Sequence, residues 1–375
     1  MTRPLRIGIC APYDLGRAGG VNTLIRAQAT ALRRLGHDVL VFGASSAPLR
    51  EGEVSLGPCV SIVIGNTETG FGIDPRSWWT SKQLLRSAAF DIIHMHEPLM
   101  PLPAWFVLWQ ATVPVVAQFS TYRSEGHRWY PKFRRFFERL MSRVHVRLAV
   151  SDAARRTVAD HFPGDYEVVP CAIDVARFAA PVPRPPAMPA DRPYVLYVGR
   201  LEPRKGVDRL VDAMTRVRER VRNAHLVIIG GGPDREAIET RAQDRRVPVL
   251  FAGRVSDEDL PAYYQAADVV CSPALADESF GIVLLEAMAA GRPIVASNIA
   301  GYAELLEPAG CALLAPPGDV ETLANAICTL LQDTQLARTF GRRGADAAKK
   351  YDWDVVSRRL VGIYELCLDK LAVER

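Results

Sequence analysis

The feature that most constrains this chain is an alternation that occurs twice. Residues 5–12, 39–43, 61–65, 91–96, 114–119, 148–151 and 167–170 are short apolar runs, and helix-like patterns separate most of them. Uninterrupted apolar runs of strand length with helical spacers describe a parallel sheet covered on both faces, because parallel neighbours need long crossovers and leave no face in water. Residues 180–193, APVPRPPAMPADRP, break the series. So many prolines fit neither a helix nor a central strand, and the stretch reads as a stiff linker. The alternation resumes at 194–199, 225–230, 249–253, 269–272, 294–297 and 312–315. The expected fold class is α/β, with two Rossmann-like doubly wound domains, residues 1–180 and 190–354, on a proline-rich hinge. Residues 319–371 are mostly helical, and since nothing there reads as another strand, residues 355–375 are expected to cross back to the first domain. A chain of 375 residues is too long for one ordinary core and suits this division.

Composition excludes several classes. Residues 5–12 run straight into a strand-like pattern, so no signal peptide is expected. The longest apolar region, 104–119, is interrupted by Gln110, Pro114 and Gln118 and falls short of the roughly 20 residues a membrane span needs. The seven cysteines are odd in number and scattered without CxxC spacing, which fits reduced core residues in a cytoplasmic protein and no metal site. A net charge of +4 is too small to imply nucleic acid. It is unevenly spread, however. Residues 1–170 hold 20 Lys and Arg against 14 Asp and Glu, whereas the rest of the chain is slightly acidic.

In doubly wound sheets ligands bind outside the carboxyl ends of the strands, so the loops there are the expected place for binding and catalytic groups. They hold Tyr13 with Gly19-Gly20, Glu97-Pro98, Ser120-Thr121, Arg200 to Lys205, Gly230-Gly231-Gly232, Val255-Ser256-Asp257, and Pro273 to Glu278. On this reading the loops of the two domains face each other across an interdomain cleft. Gly19-Gly20 lets bare backbone approach a phosphate, although a tight strand-to-helix turn has the same letters. Gly199-Arg200-Leu201-Glu202-Pro203-Arg204-Lys205-Gly206 puts three cations in one loop, enough to neutralise a diphosphate, or else to form a solvated loop paired with Glu202. The glycine triplet lacks GxGxxG spacing and says only that the chain turns tightly. Ser256 or Asp257 reads as a helix N-cap. His94 and His96 read as strand-end packing, because no partner has metal-ligand spacing.

Residues 277–298, DESFGIVLLEAMAAGRPIVASN, set two carboxylates against an apolar run that Gly291 and Pro293 end. The run is expected to be a buried helix with Glu278 at its mouth and Glu286 inside, where an unpaired carboxylate is costly and calls for a partner or a ligand. Eight residues apart on one helix, the two carboxylates would be roughly 12 Å apart along the axis. They suit one elongated ligand, with the first-turn amides of Phe280, Gly281 and Ile282 open to an anion. The alternative is a helix-dipole contact for Glu278 and a buried ion pair for Glu286.

Taken together, Ala11-Pro12-Tyr13 with Gly19-Gly20-Val21, His94, His96-Glu97-Pro98, Ala149-Val150-Ser151-Asp152, Gly199-Arg200 with Glu202 to Gly206, and the run from Glu278 to Gly291 resemble the retaining nucleotide-sugar glycosyltransferases of family 4, which have the two-domain GT-B fold. In detail they are similar to bacterial phosphatidylinositol α-mannosyltransferases. The resemblance covers nearly the whole chain. It implies that Glu278, Arg200 and Lys205 are catalytic, the two cations on the diphosphate and Glu278 on the sugar with the amides of Phe280, Gly281 and Ile282. Glu286 would bind the ribose hydroxyls and Val255 the base through its backbone. Gly20 would approach the phosphates from the other domain, and Tyr13, Ser120, Thr121 and Arg123 would lie on the acceptor side. No cofactor is implied beyond a nucleotide-sugar co-substrate, GDP-mannose favoured, and no metal. The implied acceptor is an anionic lipid of the phosphatidylinositol type, met as a peripheral protein on the inner face of the plasma membrane. A soluble acceptor, an epimerase, a phosphorylase and a catalytically silent glycan- or lipid-binding protein remain as alternatives.

One position departs from the family. Where a histidine usually follows the strand at 115–119, this chain has Ser120-Thr121, and serine cannot act as a general base near neutral pH. Either the leaving phosphate takes the acceptor proton or another group such as His127 does. Residues 127–147 interleave seven Arg and Lys with Trp129, Tyr130, Phe133, Phe136 and Phe137. That pattern fits either a helix lying on an anionic membrane or an amphipathic helix with its aromatics in the core. Residues 77–89, with Trp78 and Trp79, are a second such stretch.

Overall fold

A computed structural model of the chain describes residues 3–17, 19–64, 67–124, 126 and 129–373; His127 and Arg128 lie outside the described residues. The chain forms two compact units, Met1–Ala172 with Trp353–Arg375, and Ile173–Asp352.

In the first unit, β1 (Arg6–Cys10) leads into α1 (Gly20–Arg34), followed by β2 (Asp38–Gly43), β3 (Glu53–Ser55), β4 (Cys59–Ile64) and β5 (Thr67–Gly72). Next come α2 (Ser77–Ser87), β6 (Ile92–His96), α3 (Pro103–Gln110), β7 (Val115–Phe119), α4 (Trp129–Lys132), α5 (Arg134–Met141), β8 (Val146–Ala149), α6 (Asp152–Ala159) and β9 (Glu167–Val168). Among the described residues the main sheet has seven parallel strands in the order β3-β2-β1-β6-β7-β8-β9. Its central strands are buried along their length, which is why they read as unbroken apolar runs. The run at 61–65 is a correction. Its described residues, 61–64, belong to β4, which pairs antiparallel with β5 in a hairpin outside the main sheet.

The second unit runs α7 (Val175–Ala179), β10 (Tyr194–Val198), α8 (Val207–Arg220), β11 (His225–Ile229), α9 (Arg235–Asp244), β12 (Val249–Gly253), α10 (Leu260–Ala266) and β13 (Val269–Ser272). It continues with α11 (Ile282–Ala289), β14 (Ile294–Ser297), α12 (Ala300–Leu306), β15 (Ala312–Ala315), α13 (Val320–Gln332) and α14 (Thr334–Ala348). Its strands, again parallel, take the order β12-β11-β10-β13-β14-β15. Val195, Leu226, Ile228, Val269 and Val295 meet the inner faces of α8 and α13 in one apolar core. The last helix, α15 (Trp353–Val373), belongs to the first unit, where it packs on α1.

The proline-rich stretch is a second correction, because it does not join the units. Residues 180–193 lie inside the second unit. Val182 N–H donates to Gln265 Oε1, and the Arg184 guanidinium bonds the carbonyls of Met188 and Ala266. The stretch is held by the Gln265 side chain of α10 and by its own Arg184, which reaches the α10 carbonyl of Ala266.

In each sheet the strand order reverses once, between β1 and β6 in the first unit and between β10 and β13 in the second. At such a point adjacent loops leave in opposite directions and open a crevice at the carboxyl ends. Tyr13, Glu97, Arg200, Lys205 and Glu278 lie on those loops, whereas Ser120 follows β7, Val255 follows β12 and Glu286 lies inside α11.

Candidate active site

In the second unit the loops after β10 and β13 meet although some 73 residues separate them. Glycines permit the approach. Gly206 has φ +64°, and a Cβ there would lie 2.3 Å from the Pro273 carbonyl oxygen. Pro203–Lys205 forms a 3-10 turn ahead of α8, with Leu275 N–H bonded to the Arg204 carbonyl at 2.8 Å. The Lys205 ammonium donates to Glu278 Oε1 at 2.6 Å, and Arg204 donates to the same oxygen. Arg204 also lies 2.7 Å from Glu202 Oε1, and Arg200, exposed, lies 3.7 Å from Glu202 Oε2. Burial alone would lower the pKa of Arg204, but Glu278 and Glu202 carry it upward. Arg200, Lys205 and Glu278 are thus brought to one crevice. Arg204 joins them in a role the sequence did not assign.

The helix that follows begins later than expected. Gly281, at φ +89°, is the N-cap and Ile282 the first helical residue, so Glu278, Ser279 and Phe280 precede α11 in a loop. Leu284 and Leu285 N–H both bond the Gly281 carbonyl. The amides without an intrahelical partner are therefore those of Gly281, Ile282 and Val283, one residue on from the expected set. Phe280 is buried against Tyr351, ring centroids 5.8 Å apart. The loop is held from behind by α12. A Cβ on Gly301 would come within 2.1 Å of the Glu278 carbonyl oxygen, and the Tyr302 ring packs on Gly281, its hydroxyl 2.8 Å from Ser272 Oγ.

Glu286 has separate partners. The Tyr264 hydroxyl of α10 lies 2.7 Å from its Oε2, and no cation is bonded to it among the described residues. Burial of the carboxyl pushes its pKa up to about 7, with the Tyr264 hydrogen bond and the Arg177 charge opposing only in part. The Arg177 guanidinium bonds the Asp257 carbonyl in the loop that holds Val255, which is half-buried. Ser256 does not start the helix there. Its hydroxyl accepts from Asp259 N–H at 3.1 Å, and α10 begins at Leu260. The glycine triplet is structural too: a Cβ on Gly230 or Gly232 would fall 1.9 or 2.1 Å from the carbonyl oxygens of Gly199 and Leu201.

In the first unit, Glu97 at the end of β6 is the centre that the sequence undervalued. It is buried with φ +45°, and its Oε1 accepts from Ser120 N–H at 2.6 Å and from the Thr121 hydroxyl at 2.9 Å. Burial raises its pKa against those bonds and the nearby Arg123 charge. Tyr13, raised chiefly by its own burial, also feels Glu97. Thr121 is therefore engaged in holding Glu97, and Tyr13, Ser120, Thr121 and Arg123 surround one carboxyl. Gly19 and Gly20 stand at the exposed start of α1, where an added Cβ would meet nothing within 4 Å. The fold itself does not require glycine there. His94 and His96 serve packing. His94 bonds Tyr364 of α15 at 2.7 Å and Gln118 at 2.8 Å, and His96 Nε2 lies 2.9 Å from Gln28 Oε1.

Both units match known protein families. Residues 18–177 match the family described as Glycosyltransferase Family 4, and residues 182–347 match Glycosyl transferases group 1. A phosphatidyl-myo-inositol mannosyltransferase of Mycolicibacterium smegmatis is 33% identical over 96% of this chain and 94% of its own length. The chain belongs to glycosyltransferase family 4. A GDP-mannose-dependent alpha-(1-6)-phosphatidylinositol monomannoside mannosyltransferase of Mycobacterium tuberculosis is 34% identical over 64% of this chain and 67% of its own. Sucrose-phosphate synthase of Thermosynechococcus elongatus shares the GT-B fold, with a TM-score of 0.76 over 98% of this chain and 100% of that one at 24% identity. The family 4 assignment makes this protein a glycosyltransferase with two Rossmann-like units.

Proposed function

We propose that this glycosyltransferase moves mannose from GDP-mannose to a phosphatidylinositol-type lipid, with retention of configuration and without a metal ion. The observation that carries the reading is the meeting of Lys205, Arg200 and Glu278 at a strand-order reversal, in a chain whose nearly full-length relatives are named for mannosyl transfer to phosphatidyl-myo-inositol. Breaking the anomeric C–O bond sends its electron pair to the diphosphate. Lys205, Arg200 and the amides at the start of α11 would stabilise that charge, a task that preorganised cations and dipoles can do without a divalent ion. Glu286 would accept from the ribose hydroxyls, and Val255 would meet the base. Gly20 would let the start of α1 approach the phosphates. The acceptor oxygen attacks the face that the leaving group departs from, and its proton passes to the departing phosphate oxygen. No protein base is then needed at Ser120.

The acceptor side is supported by one helical layer of the first unit. α2, α3 and α5 cover the same sheet face through Leu84, Leu85, Val107, Phe137 and Leu140. On the outer side Trp129, Phe133 and Phe136 are 57%, 44% and 39% exposed, beside exposed Lys132, Arg134, Arg135 and Arg139. Of the five aromatics read in this stretch, only Tyr130 and Phe137 are in the core. Exposed aromatics ringed by cations match an anionic bilayer interface, where each cation contributes about 1 kcal/mol. No helix among the described residues is long and apolar enough to cross a membrane.

Purified enzyme given labelled GDP-mannose and vesicles containing phosphatidylinositol should place label in the lipid phase as an α-mannoside, with EDTA present. Label transferred only to soluble inositol derivatives, or a β product, would overturn the reading. Replacing Arg134, Arg135 and Arg139 with Glu should release the protein from acidic vesicles while sparing slow hydrolysis of the donor. Unchanged vesicle binding would remove this layer from the account.

A further inference from the structure

The donor side holds one more charge than the reaction requires. Arg200, Glu202, Arg204, Glu278 and Lys205 form a chain of alternating sign in which Arg204 is the middle member. If Lys205 serves the diphosphate, as the reading above has it, its bond to Glu278 brings a carboxylate against the incoming phosphates. Two anions on one ammonium repel each other, so something must hold Glu278 aside while Lys205 turns to the phosphate.

We propose that Arg204 is a positioning residue that retains Glu278 when a nucleoside diphosphate takes Lys205. Besides Glu278 itself, three contacts fix it for that task. One branch of its guanidinium bonds Glu278 and, at 3.2 Å, the Asp277 carbonyl. The other lies 2.7 Å from Glu202, whose side chain is buried and cannot follow a moving partner. Its backbone carbonyl is tied to Leu275 N–H in the 3-10 turn. Lys205 reaches the same carboxylate oxygen by a flexible four-carbon stem with three rotatable donors, so it is the partner free to change acceptor. Without Arg204, Glu278 keeps Lys205 as its sole cation of this pair and competes with the diphosphate.

The inference rests on the donor-site reading, and a four-way comparison separates the two. Calorimetric titration with GDP would be run on the wild type, Arg204→Gln, Glu278→Gln and the double variant, each first shown to keep the wild-type unfolding transition. Arg204→Gln should weaken GDP at least tenfold where Glu278 is present, and less than threefold in the Glu278→Gln background. Arg204→Lys should recover part of the loss. Equal weakening in both backgrounds would mean that Arg204 touches the diphosphate itself, and no weakening in either would mean that it holds nothing; both overturn the proposal. If the wild type binds UDP instead of GDP, the assigned base falls, and the same comparison run with UDP still decides the role of Arg204. Binding of neither nucleotide would refute the donor site and the proposal with it.

Discussion

Glu278 and Glu286 sit on either side of Gly281, yet the structure gives them opposite surroundings. Glu278 faces two cations, so its change to Gln and that of Lys205 to Ala should both act on charge that grows during bond breaking. Turnover should fall by about 10²–10³, or roughly 2.7–4 kcal/mol, with the unfolding temperature nearly unchanged. Wild-type turnover in either variant would remove these residues from the chemistry. Glu286 instead has a pKa raised to about 7 by burial, so near neutrality it is partly protonated and would be a poorer acceptor for the ribose hydroxyls it is proposed to bind. Donor affinity should therefore rise as pH passes upward through about 7, and Glu286→Gln should flatten that profile. A Gln variant with the same limb would assign the titration elsewhere. Glu286→Ala should raise the donor KM more than it lowers kcat, because the proposed ribose contacts would exist before and during the reaction.

At the scale of elements, the positions of the loops follow from strand order, and α12 shows what keeps them there. Gly301→Ala would drive a Cβ into the Glu278 backbone, so it should cost about 1–3 kcal/mol of stability and displace the loop, lowering turnover with it. Full activity in that variant would mean that the loop needs no backing. In the first unit, β6, β7, α1 and α15 share the buried contacts of His94, His96, Gln118, Gln28 and Tyr364. Burial lowers the pKa of His94 to about 4, against an ordinary 6.5. The unfolded chain thus takes up protons first, and stability contributed above pH 6.5 is lost as pH falls toward 4, by about 3 kcal/mol for this group. Denaturant midpoints between pH 7 and 4.5 should fall, and His94→Gln should reduce the slope; a slope unchanged by that substitution would place the protons on other groups. These contacts were not legible in the sequence. Alternating histidines on a strand say where they point, but their partners lie on α1, β7 and a helix at the far end of the chain.

For the molecule as a whole, the two parallel sheets were legible because burial on both faces writes each strand as an apolar run. The hairpin was not, since residues 59–64 are as apolar as a buried strand while their partner, TETGFG at 67–72, has no run at all. The proline stretch was misplaced for a related reason: proline composition says what a segment cannot be, and only Gln265 and Arg184 say which body holds it. The same limit applies to Arg204, visible as a cation in its loop, whose partner was set by the order of β10 and β13. Residue, loop and sheet come together in the proposed activity, in which the crevice between these two strands would deliver mannose from GDP-mannose to lipid. The most direct measurement follows GDP release and mannosyl lipid formation together, with phosphatidylinositol vesicles, in the wild type and in Glu278→Gln. The account predicts one GDP for each mannosyl lipid in the wild type and a fall of about a hundredfold or more in both in the variant. GDP released without mannosyl lipid, or lipid made by Glu278→Gln at the wild-type rate, would contradict it.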